Sequence, residues 1–251
     1  MSSSTHLVLI PSYNSGGLLQ TTVAKACQHW PVVWVIIDGS TDGSAGTLEH
    51  LKSTFPGLRI FELPVNQGKG AAVLYGLEQA QAAGFQYALT MDADDQHPAH
   101  RIAVFMRLSE QHPGAMILGD PVFDASAPLL RLRGRKISNW WANLETLWWG
   151  VHDSLCGFRV YPIAPLVKIM QKQVWMKRFD FDVEAVVRLC WAGVKPVNAP
   201  AEVRYVSKDE GGVSHFQYWR DNRLLTWMHI RLMFGFVWRL PLLLWRRLRV
   251  K

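Results

Sequence analysis

The chain has 251 residues, of which 49% are hydrophobic, and this is enough for one large α/β domain with a substantial core. The three cysteines, Cys27, Cys156 and Cys190, form neither a zinc pattern nor a disulfide framework, so we interpret them as small core residues in a reducing compartment. The Ser-rich N-terminus leads straight into the apolar residues 7–10, and no signal peptide is expected.

The formal net charge of +7 is concentrated at the C-terminus. Residues 222–251 contain no Asp or Glu, and their basic residues account for the whole excess. These residues are Arg223, Arg231, Arg239, Arg246, Arg247, Arg249 and Lys251. A basic tail indicates an anionic partner surface, either a membrane or a nucleic acid.

The first part of the chain alternates apolar strands with helices. The predicted strands are 6–10, 32–37, 58–63 and 87–91, and the predicted helices are 18–30, 45–55 and 71–83. Strands separated by helices of crossover length predict a parallel sheet. The polar, glycine-bearing loops that follow these elements are expected to gather at one edge of that sheet.

The second part of the chain changes character. Its predicted elements are a helix at 99–111, a strand at 115–118, an aromatic helix at 139–149, a helix at 179–192, a strand at 200–205 and a glycine-containing loop at 208–214. The tryptophans of the aromatic helix either line an acceptor groove or pack in the core or an interface. No internal repeat or linker marks a second domain.

The strand at 87–91 ends in an acidic cluster, Asp92, Asp94 and Asp95, followed by Gln96. These carboxylates repel one another unless a positive charge lies among them. Carboxylate and amide oxygens are hard ligands that suit Mg²⁺ or Mn²⁺, and Mg²⁺ is usually held by one or two carboxylates together with substrate phosphates. The cluster therefore predicts a metal–diphosphate site. The alternative is a solvated acidic turn with Asp95 as the N-cap of the next helix.

Five motifs occur in a fixed order along the chain. They are Pro11-Ser12-Tyr13-Asn14, the run 38–43 that begins with Asp38, the run 66–70 that contains Lys69, Asp92-Ala93-Asp94, and Asp153 ahead of Cys156-Gly157-Phe158-Arg159. In this order they resemble the family 2 inverting glycosyltransferases of the GT-A fold. The branch that they resemble most contains the dolichyl-phosphate mannose synthases and their bacterial polyprenyl-phosphate relatives. The resemblance runs from about residue 7 to about residue 216.

The resemblance implies a fold and a division of the chain. The fold is α/β, of the GT-A, nucleotide-diphospho-sugar transferase-like type, with a mostly parallel sheet flanked by helices. Residues 1–221 would form the glycosyltransferase domain, and residues 222–251 a basic amphipathic C-terminal segment.

The resemblance also implies roles for individual residues. The predicted nucleotide-sugar contacts are Pro11, Tyr13, Asn14, Asp38, Lys69 and Asp92. Asp92, Asp94 and Gln96 would hold Mg²⁺ or Mn²⁺. Asp153 matches the position of the general base or of an acceptor contact, and Arg159 lies where an acceptor or phosphate contact is expected.

The chain departs from the family pattern mainly on the acceptor side. Ser15 stands where an acid is usual, and Ile37-Asp38 replaces a pair of acids. Gly119-Asp120-Pro121 replaces the Gly-Ser-Arg of the lipid-phosphate branch, and residues 208–210 lack the arginines often found there. The expectation of a phosphate-bearing polyprenyl acceptor therefore rests on the donor motifs more than on the acceptor motifs.

Several candidate residues have simpler structural roles. A hydroxyl acceptor needs a base, and general base catalysis typically contributes about 10²–10⁴-fold, but a phosphate acceptor is already anionic and needs none. Asp153 then either positions the metal or the acceptor, or caps the turn at 154–157. Lys69 suits an exposed turn before a helix as well as a nucleotide contact. The acids Asp180, Asp182 and Glu184 at a helix start can be explained by the helix dipole alone, whereas the resemblance suggests that Asp182 or Glu184 lies near the active site.

The tail has apolar runs at 232–238 and 240–245, far shorter than the roughly 20 residues that span a bilayer. Trp227, Trp238 and Trp245 with flanking arginines predict a helix that lies in the headgroup region, peripheral on the cytoplasmic face of the membrane. The alternative is a C-terminal helix docked on its own domain with an arginine-rich exposed end.

The leading hypothesis is a metal-dependent, inverting transfer of a sugar from a UDP- or GDP-sugar to a lipid-linked or lipid-like acceptor, with no nucleic-acid partner. A second is a glycosyltransferase with a non-lipid acceptor. A third, a nucleic-acid-binding or scaffold protein that uses its basic tail, leaves Asp38, Asp92 and Asp94 unexplained and lacks a nucleic-acid motif. A nucleotidyltransferase lacks the expected basic, glycine-rich loop after residues 7–10.

Overall fold

A seven-stranded sheet forms the centre of the protein. The computed structural model describes residues 5–123, 129–204 and 217–249. The strands are β1 (His6–Ser12), β2 (Val33–Asp38), β3 (Leu58–Leu63), β4 (Tyr87–Thr90), β5 (Met116–Phe123), β6 (Arg159–Pro162) and β7 (Pro196–Val203). Their order is β3-β2-β1-β4-β6-β5-β7. β6 is antiparallel to both of its neighbours and every other adjacent pair is parallel, which confirms the predicted mostly parallel sheet.

Helices cover both faces of this sheet. They are α1 (Leu18–His29), α2 (Glu49–Thr54), α3 (Lys69–Ala82), α4 (Ile102–Gln111), α5 (Leu129–Glu145), α6 (Ile163–Gln171), α7 (Asp180–Ala192) and α8 (Tyr218–Arg249). Successive side chains of a strand point to opposite faces, so β1 divides its residues between two cores. Val8 and Ile10 pack on one side with α1 and α4, and Leu7 and Leu9 pack on the other with α3, α6 and α7.

The second half of the chain shows where the sequence prediction was incomplete. β6 and α6 were not predicted, and the strand expected at 200–205 begins at Pro196. The aromatic helix ends at Glu145, so Trp148 and Trp149 lie beyond it. Residues 46–48 form a 3₁₀ turn ahead of α2 instead of the start of a longer helix. The glycine-containing loop predicted at 208–214 lies outside the described residues.

The basic tail forms one long helix, α8, which begins at Tyr218 and so crosses the predicted boundary at 222. One side of α8 is buried against α5 and α7. Its buried apolar residues are Met228, Leu232, Phe236 and Leu243, which cluster with Ala142 of α5 and with Val183, Val187 and Trp191 of α7. The tail is therefore docked on its own domain, as the alternative interpretation expected.

The arginines that interrupt the apolar pattern of the tail face the protein. Arg231 lies 3.1 Å from the carboxylate of Glu184, and its guanidinium stacks over the ring of Trp175 at 4.2 Å. The guanidinium of Arg239 lies 4.9 Å from the ring centroid of Trp191. These positive charges are thus engaged inside the domain.

The opposite side of the helix, which we call the outer face of α8, is apolar and exposed. Its large residues are Trp227, Ile230, Phe234, Val237, Trp238, Leu242, Trp245 and Leu248. They recur at spacings of three and four, which place them along one stripe of a helix. Contiguous exposed apolar surface of this kind marks an interaction site. None of the helices in the described ranges has the length and apolar character needed to cross a bilayer.

Candidate active site

A polar cavity of about 460 Å³ lies beyond the carboxyl ends of β1, β2 and β4, and we call it the central cavity. Open α/β sheets bind ligands at this edge. The predicted site residues that line it are Pro11, Tyr13, Asp38, Lys69, Asp92, Asp94 and Gln96. Asn14, Asp153 and Arg159 do not line it. The sequence motifs at the carboxyl ends of four separate strands, β1 to β4, therefore meet around one space.

Asp38 organises the loop that leads into α3. Its carboxylate accepts hydrogen bonds from the backbone N–H groups of Gln67 and Gly68, both at 2.8 Å, and from the side-chain amide of Asn66 at 3.0 Å. Burial raises the pKa of Asp38, although the two backbone N–H groups oppose the shift. Gly68 has φ of +102°, and an added Cβ would meet the carbonyl oxygen of Lys177 at 2.4 Å. Glycine is thus required where the loop turns towards Lys69.

Asn14 has a structural role between two loops. Its side-chain oxygen accepts a hydrogen bond from the Thr41 N–H at 2.8 Å, and its own N–H donates to the Ser40 hydroxyl at 3.0 Å. These bonds tie the loop after β1 to the loop after β2. The backbone N–H and the side-chain oxygen of Asn14 are both used in these bonds, so the predicted contact with the nucleotide-sugar would have to come from another atom of this residue.

Lys69 lies between two carboxylates at the inner end of the central cavity. Its ammonium group is 2.7 Å from Asp92 and 2.8 Å from Asp182 of α7. Burial alone would lower the pKa of Lys69, but the two carboxylates outweigh burial and raise the pKa above its usual value. The side chain is therefore positively charged. Burial would raise the pKa of Asp92, yet Lys69 lowers it to about 2. The alternative of an exposed turn at Lys69 is wrong.

The other acids at the start of α7 also have specific partners. Asp180 accepts hydrogen bonds from the backbone N–H groups of Met176 and Arg178, at 3.1 and 3.0 Å. Glu184 is fully buried and pairs with Arg231 of α8 at 3.1 Å. The helix dipole alone does not account for this cluster. Spacing in the sequence did not reveal the ion pair of Asp182, because its partner lies 113 residues earlier.

The side chains of the acidic cluster point in two different directions. Asp95, with φ of +58°, turns away from the central cavity and pairs with Lys25 at 2.7 Å. The 3₁₀ turn at 99–101 begins after Pro98, so Asp95 is not its N-cap. Asp94 and Gln96 remain in the cavity wall with Asp92. Burial and the charge of Asp92 raise the pKa of Asp94.

The residues present fit a divalent cation. No group of three or more His, Cys, Asp or Glu side chains within the described ranges is arranged to hold a metal by itself. Mg²⁺ usually needs only one or two carboxylates when substrate phosphates supply further oxygens. Asp92, Asp94 and Gln96 offer such a set, and Asp94 makes no ion pair within the described ranges, so its carboxylate oxygens can bind an added cation.

Two residues, His97 and Gly157, contact Asp92. Its backbone N–H donates to Nδ1 of His97 at 3.1 Å. A Cβ on Gly157 would lie 2.5 Å from a carboxylate oxygen of Asp92, so glycine leaves the room that this carboxylate occupies. The Cys-Gly-Phe-Arg motif therefore forms the floor beneath Asp92.

Asp153 is buried, and its carboxylate accepts four hydrogen bonds. It accepts hydrogen bonds from Arg135 at 2.6 Å and from the side-chain amide of Asn139 at 3.0 Å. The backbone N–H groups of Leu155 and Cys156 donate to the same carboxylate at 2.8 and 2.6 Å. Burial would raise the pKa of Asp153, but Arg135 lowers it. This geometry supports the turn-capping role, and the base role stays a prediction.

We expect Asp153→Asn to destabilise the fold by about 3 kcal/mol at pH 7, because it breaks a buried ion pair with Arg135. The folded-state pKa of Asp153 is lowered, so its stabilisation is present above the unfolded pKa of about 3.9 and is lost as the pH falls through the folded value. The stability difference between the two proteins should therefore narrow in urea titrations below about pH 4. Asp120→Asn, at the exposed pair with His152, is the matched control and should cost less than about 1 kcal/mol. An Asp153→Asn protein of unchanged stability but much lower turnover would favour the base role.

Arg159 lies within the sheet and not on the cavity surface. The side chain is fully buried in β6, and its Nη1 donates to the Tyr161 hydroxyl and to the backbone carbonyl of Asp182. The prediction that Arg159 contacts an acceptor phosphate conflicts with this burial. The buried guanidinium instead lowers the pKa of Asp92, so it acts on the cavity through its charge.

A second cavity, which we call the α5–α8 groove, runs between those two helices. Its volume is about 710 Å³. Its apolar lining includes Ile137 and Trp141 of α5 and Leu225, Phe234 and Trp238 of α8. Of the tryptophans of the aromatic helix, Trp141 lines this groove, and the predicted role of the groove in binding the acceptor stays a prediction.

The cavity wall also contains residues that the sequence analysis did not single out. Arg178, Phe179, Gln217 and Arg220 line the central cavity opposite the sheet. They precede α7 or lie at the start of α8, and nothing in their local sequence distinguishes them from other polar positions.

Comparison with solved structures places this architecture among GT-A glycosyltransferases. Glucosyl-3-phosphoglycerate synthase from Mycobacterium tuberculosis, crystallised with Mn²⁺ and UDP-glucose, superposes with a TM-score of 0.57 at 16% identity, over 82% of this chain and 73% of that one. S. aureus TarS superposes with a TM-score of 0.57 at 17% identity, and the match covers 82% of this chain but only 38% of TarS. At these identities the likeness concerns the fold.

Comparison with curated sequences gives more specific relatives. Polyprenol monophosphomannose synthase from Mycolicibacterium smegmatis is 26% identical over 200 residues, which cover 77% of this chain and 75% of that protein. A UDP-N-acetylglucosamine–dolichyl-phosphate N-acetylglucosaminyltransferase from Methanococcus voltae is 24% identical over 72% of this chain and 78% of its own length. The profile of Glycosyl transferase family 2 matches residues 7–166, which include the strands and loops that build most of the central cavity. The chain belongs to glycosyl transferase family 2.

Proposed function

We propose that the protein transfers a sugar, with inversion, from a UDP- or GDP-sugar to a polyprenyl-phosphate or similar lipid acceptor at the cytoplasmic face of the membrane. The observation that carries this proposal is the adjacency of two cavities of opposite character. The central cavity is lined by charged groups, among them Asp94, which makes no ion pair within the described ranges, and the α5–α8 groove is apolar. One suits a charged sugar donor and the other suits a hydrocarbon chain.

On the donor side, the central cavity offers each part of a nucleotide-sugar a suitable surface. Tyr13 and Pro11 provide an aromatic and an apolar contact for a base, and Asp38 lies nearby for a ribose. Asp92, Asp94 and Gln96 would hold Mg²⁺ or Mn²⁺ beside the diphosphate. A bound divalent ion would neutralise the charge that develops on the departing diphosphate.

On the acceptor side, the proposed reaction needs little proton chemistry from the protein. An oxygen of the acceptor phosphate forms a bond to the anomeric carbon while the bond from that carbon to the diphosphate breaks. The nucleoside diphosphate leaves, and one displacement inverts the anomeric centre. Since a phosphate oxygen is already anionic, no base is required, which agrees with an Asp153 carboxylate fully occupied by donors.

The lipid part of the acceptor is supported by the course of the groove. It starts at Asn222, two residues beyond the cavity-lining Arg220, and continues along α8 to Trp238. Sixteen residues of helix rise by about 24 Å, which is enough for several isoprene units. A chain in this groove would have its phosphate end beside the central cavity.

Membrane contact is supported by the outer face of α8. Tryptophans at three positions along an exposed apolar stripe are typical of a helix in the interfacial region. Ile137 and Trp140 of α5 are also exposed and extend this surface beside the groove. The groove and the exposed stripe therefore belong to the same side of the protein.

Calorimetric titration with a panel of UDP- and GDP-sugars tests the donor half of the proposal. We expect one nucleotide class to bind in the presence of Mg²⁺ or Mn²⁺ and to bind at least about tenfold more weakly after chelation, because the diphosphate would then face uncompensated carboxylates. Absence of binding by every donor, with either metal, would contradict the proposal.

A further inference from the structure

One basic side chain that lines the central cavity is not paired with an acid of the cavity. Its acidic lining residues are Asp38, Asp92 and Asp94, and its basic ones are Lys69, Arg178 and Arg220. Lys69 is already engaged by Asp92 and Asp182, and the charge of Arg178 acts on Asp38 by lowering its pKa. Arg220 is therefore the remaining lining cation in the described part of the chain that is not committed to the cavity's own acids.

Arg220 comes from the first turn of α8 and is held in a defined orientation. Its Nε donates to Asp221 at 2.9 Å, and its Nη2 lies 3.4 Å from the other carboxylate oxygen. Asp221 is fully buried and also accepts a hydrogen bond from the Gln217 N–H at 2.7 Å. A buried carboxylate thus fixes one edge of the guanidinium plane, and pre-orientation of this kind reduces the entropy lost on binding.

The rest of the guanidinium remains available. The side chain of Arg220 is 49% exposed, and its Nη1 makes no hydrogen bond to the residues that the structure describes. An arginine with one edge anchored and the other edge open towards a cavity is suited to binding phosphate oxygens, with which guanidinium forms strong charge-assisted hydrogen bonds.

We propose that Arg220 positions a phosphate group in the central cavity, an inference that rests on the proposed function. That phosphate belongs either to the diphosphate of the donor or to the head group of the lipid acceptor. Asn222, two residues further along α8, opens the α5–α8 groove, so Arg220 stands where both phosphates would approach the sugar.

The test compares Arg220→Gln with Arg223→Gln. Arg223 is an exposed arginine one turn along the same helix and does not line the central cavity, so it controls for the loss of one positive charge from α8. Binding of UDP, GDP, uridine and guanosine is measured by calorimetry with Mg²⁺. We expect Arg220→Gln to weaken the preferred nucleoside diphosphate about tenfold and to leave the nucleoside unchanged, while Arg223→Gln changes neither. Arg220→Lys should restore part of the lost affinity, since it keeps the positive charge but lacks the planar set of paired N–H donors of a guanidinium group.

A second arm separates the two sources of phosphate. If Arg220→Gln binds the nucleoside diphosphate normally but shows a raised KM for polyprenyl phosphate in vesicles, the acceptor phosphate is the ligand. If neither quantity changes relative to Arg223→Gln, the inference is wrong and the proposed function stands. If the unmodified protein binds no nucleoside diphosphate and transfers no sugar, the proposed function itself has failed. Thermal unfolding of each variant identifies a loss that comes from the fold.

Discussion

Replacing Asp94 with alanine is expected to abolish sugar transfer while leaving the fold intact. Asp94 lines the central cavity, makes no ion pair within the described ranges and has a raised pKa, so its carboxylate is available to a metal ion. Loss of about 4 kcal/mol of transition-state stabilisation would lower the rate about 10³-fold. Turnover is measured with the donor identified by titration, and circular dichroism checks the fold.

The matched control for this prediction is the adjacent acid. Asp95 belongs to the same acidic cluster but turns outward to Lys25, and asparagine tolerates its positive φ. Asp95→Asn should therefore keep most of the activity. Wild-type turnover in Asp94→Ala, or an equal loss in both variants, would refute the placement of the metal.

The second large effect concerns two phenylalanines of α8 that are separated by one residue. Phe234 is 77% exposed on the outer face, and Phe236 is 6% exposed against α7. Phe234→Ser combined with Trp238→Ser should weaken binding to anionic vesicles by about 100-fold or more, because each lost apolar contact is worth roughly 1.5–3 kcal/mol. The melting temperature should change little.

Phe236→Ala should show the opposite pattern. It removes a buried ring from the cluster of α5, α7 and α8, at a cost of about 3 kcal/mol in unfolding free energy. Vesicle flotation and thermal unfolding are measured on the same preparations. If the intact protein ignores vesicles, or if Phe234 and Trp238 contribute to stability instead, the outer face of α8 does not bind a membrane.

The structure also changes the salt dependence expected of vesicle binding. A tail with all of its basic residues exposed would bind mainly by electrostatic attraction. Arg246 donates to the backbone carbonyl of Trp191 and Arg247 to that of Leu147, and Arg231 and Arg239 pack against the domain. Arg223 and Arg247 remain exposed, so we expect salt to release part of the protein and detergent to release the rest, since screening weakens only exposed charges. Charge reversal at Arg246 or Arg247 would also disturb the docking of α8.

The donor half of the site was predictable because parallel strands place their carboxyl ends at one edge. Asp38 ends β2 and Asp92 follows β4, and both strands are continuous apolar runs that the sequence displays directly. Once the alternation of strands and helices was recognised, the convergence of these loops followed from the topology.

The contributions of the second half of the chain to the fold and the site were harder to predict from the sequence. β6 is four residues long and antiparallel, so it carries no crossover signal. Pro165 would argue against a helix, but it lies in the first turn of α6, where its missing N–H costs nothing. The pairing of Lys69 with Asp182 depends on how α7 packs against α3, and the apparent breaks in α8 at Arg231 and Arg239 are resolved only by partners on another helix.

The most direct measurement is sugar transfer in vesicles that contain polyprenyl phosphate, with the purified protein, the donor selected by titration, and Mg²⁺ or Mn²⁺. We expect a glycosyl-phosphoryl-polyprenol product, detected by mass spectrometry, that forms with inverted anomeric configuration and disappears on chelation or in Asp94→Ala. Transfer to a soluble acceptor with no product on the lipid would contradict the lipid assignment. Donor binding without any metal dependence would contradict the role given to Asp92, Asp94 and Gln96.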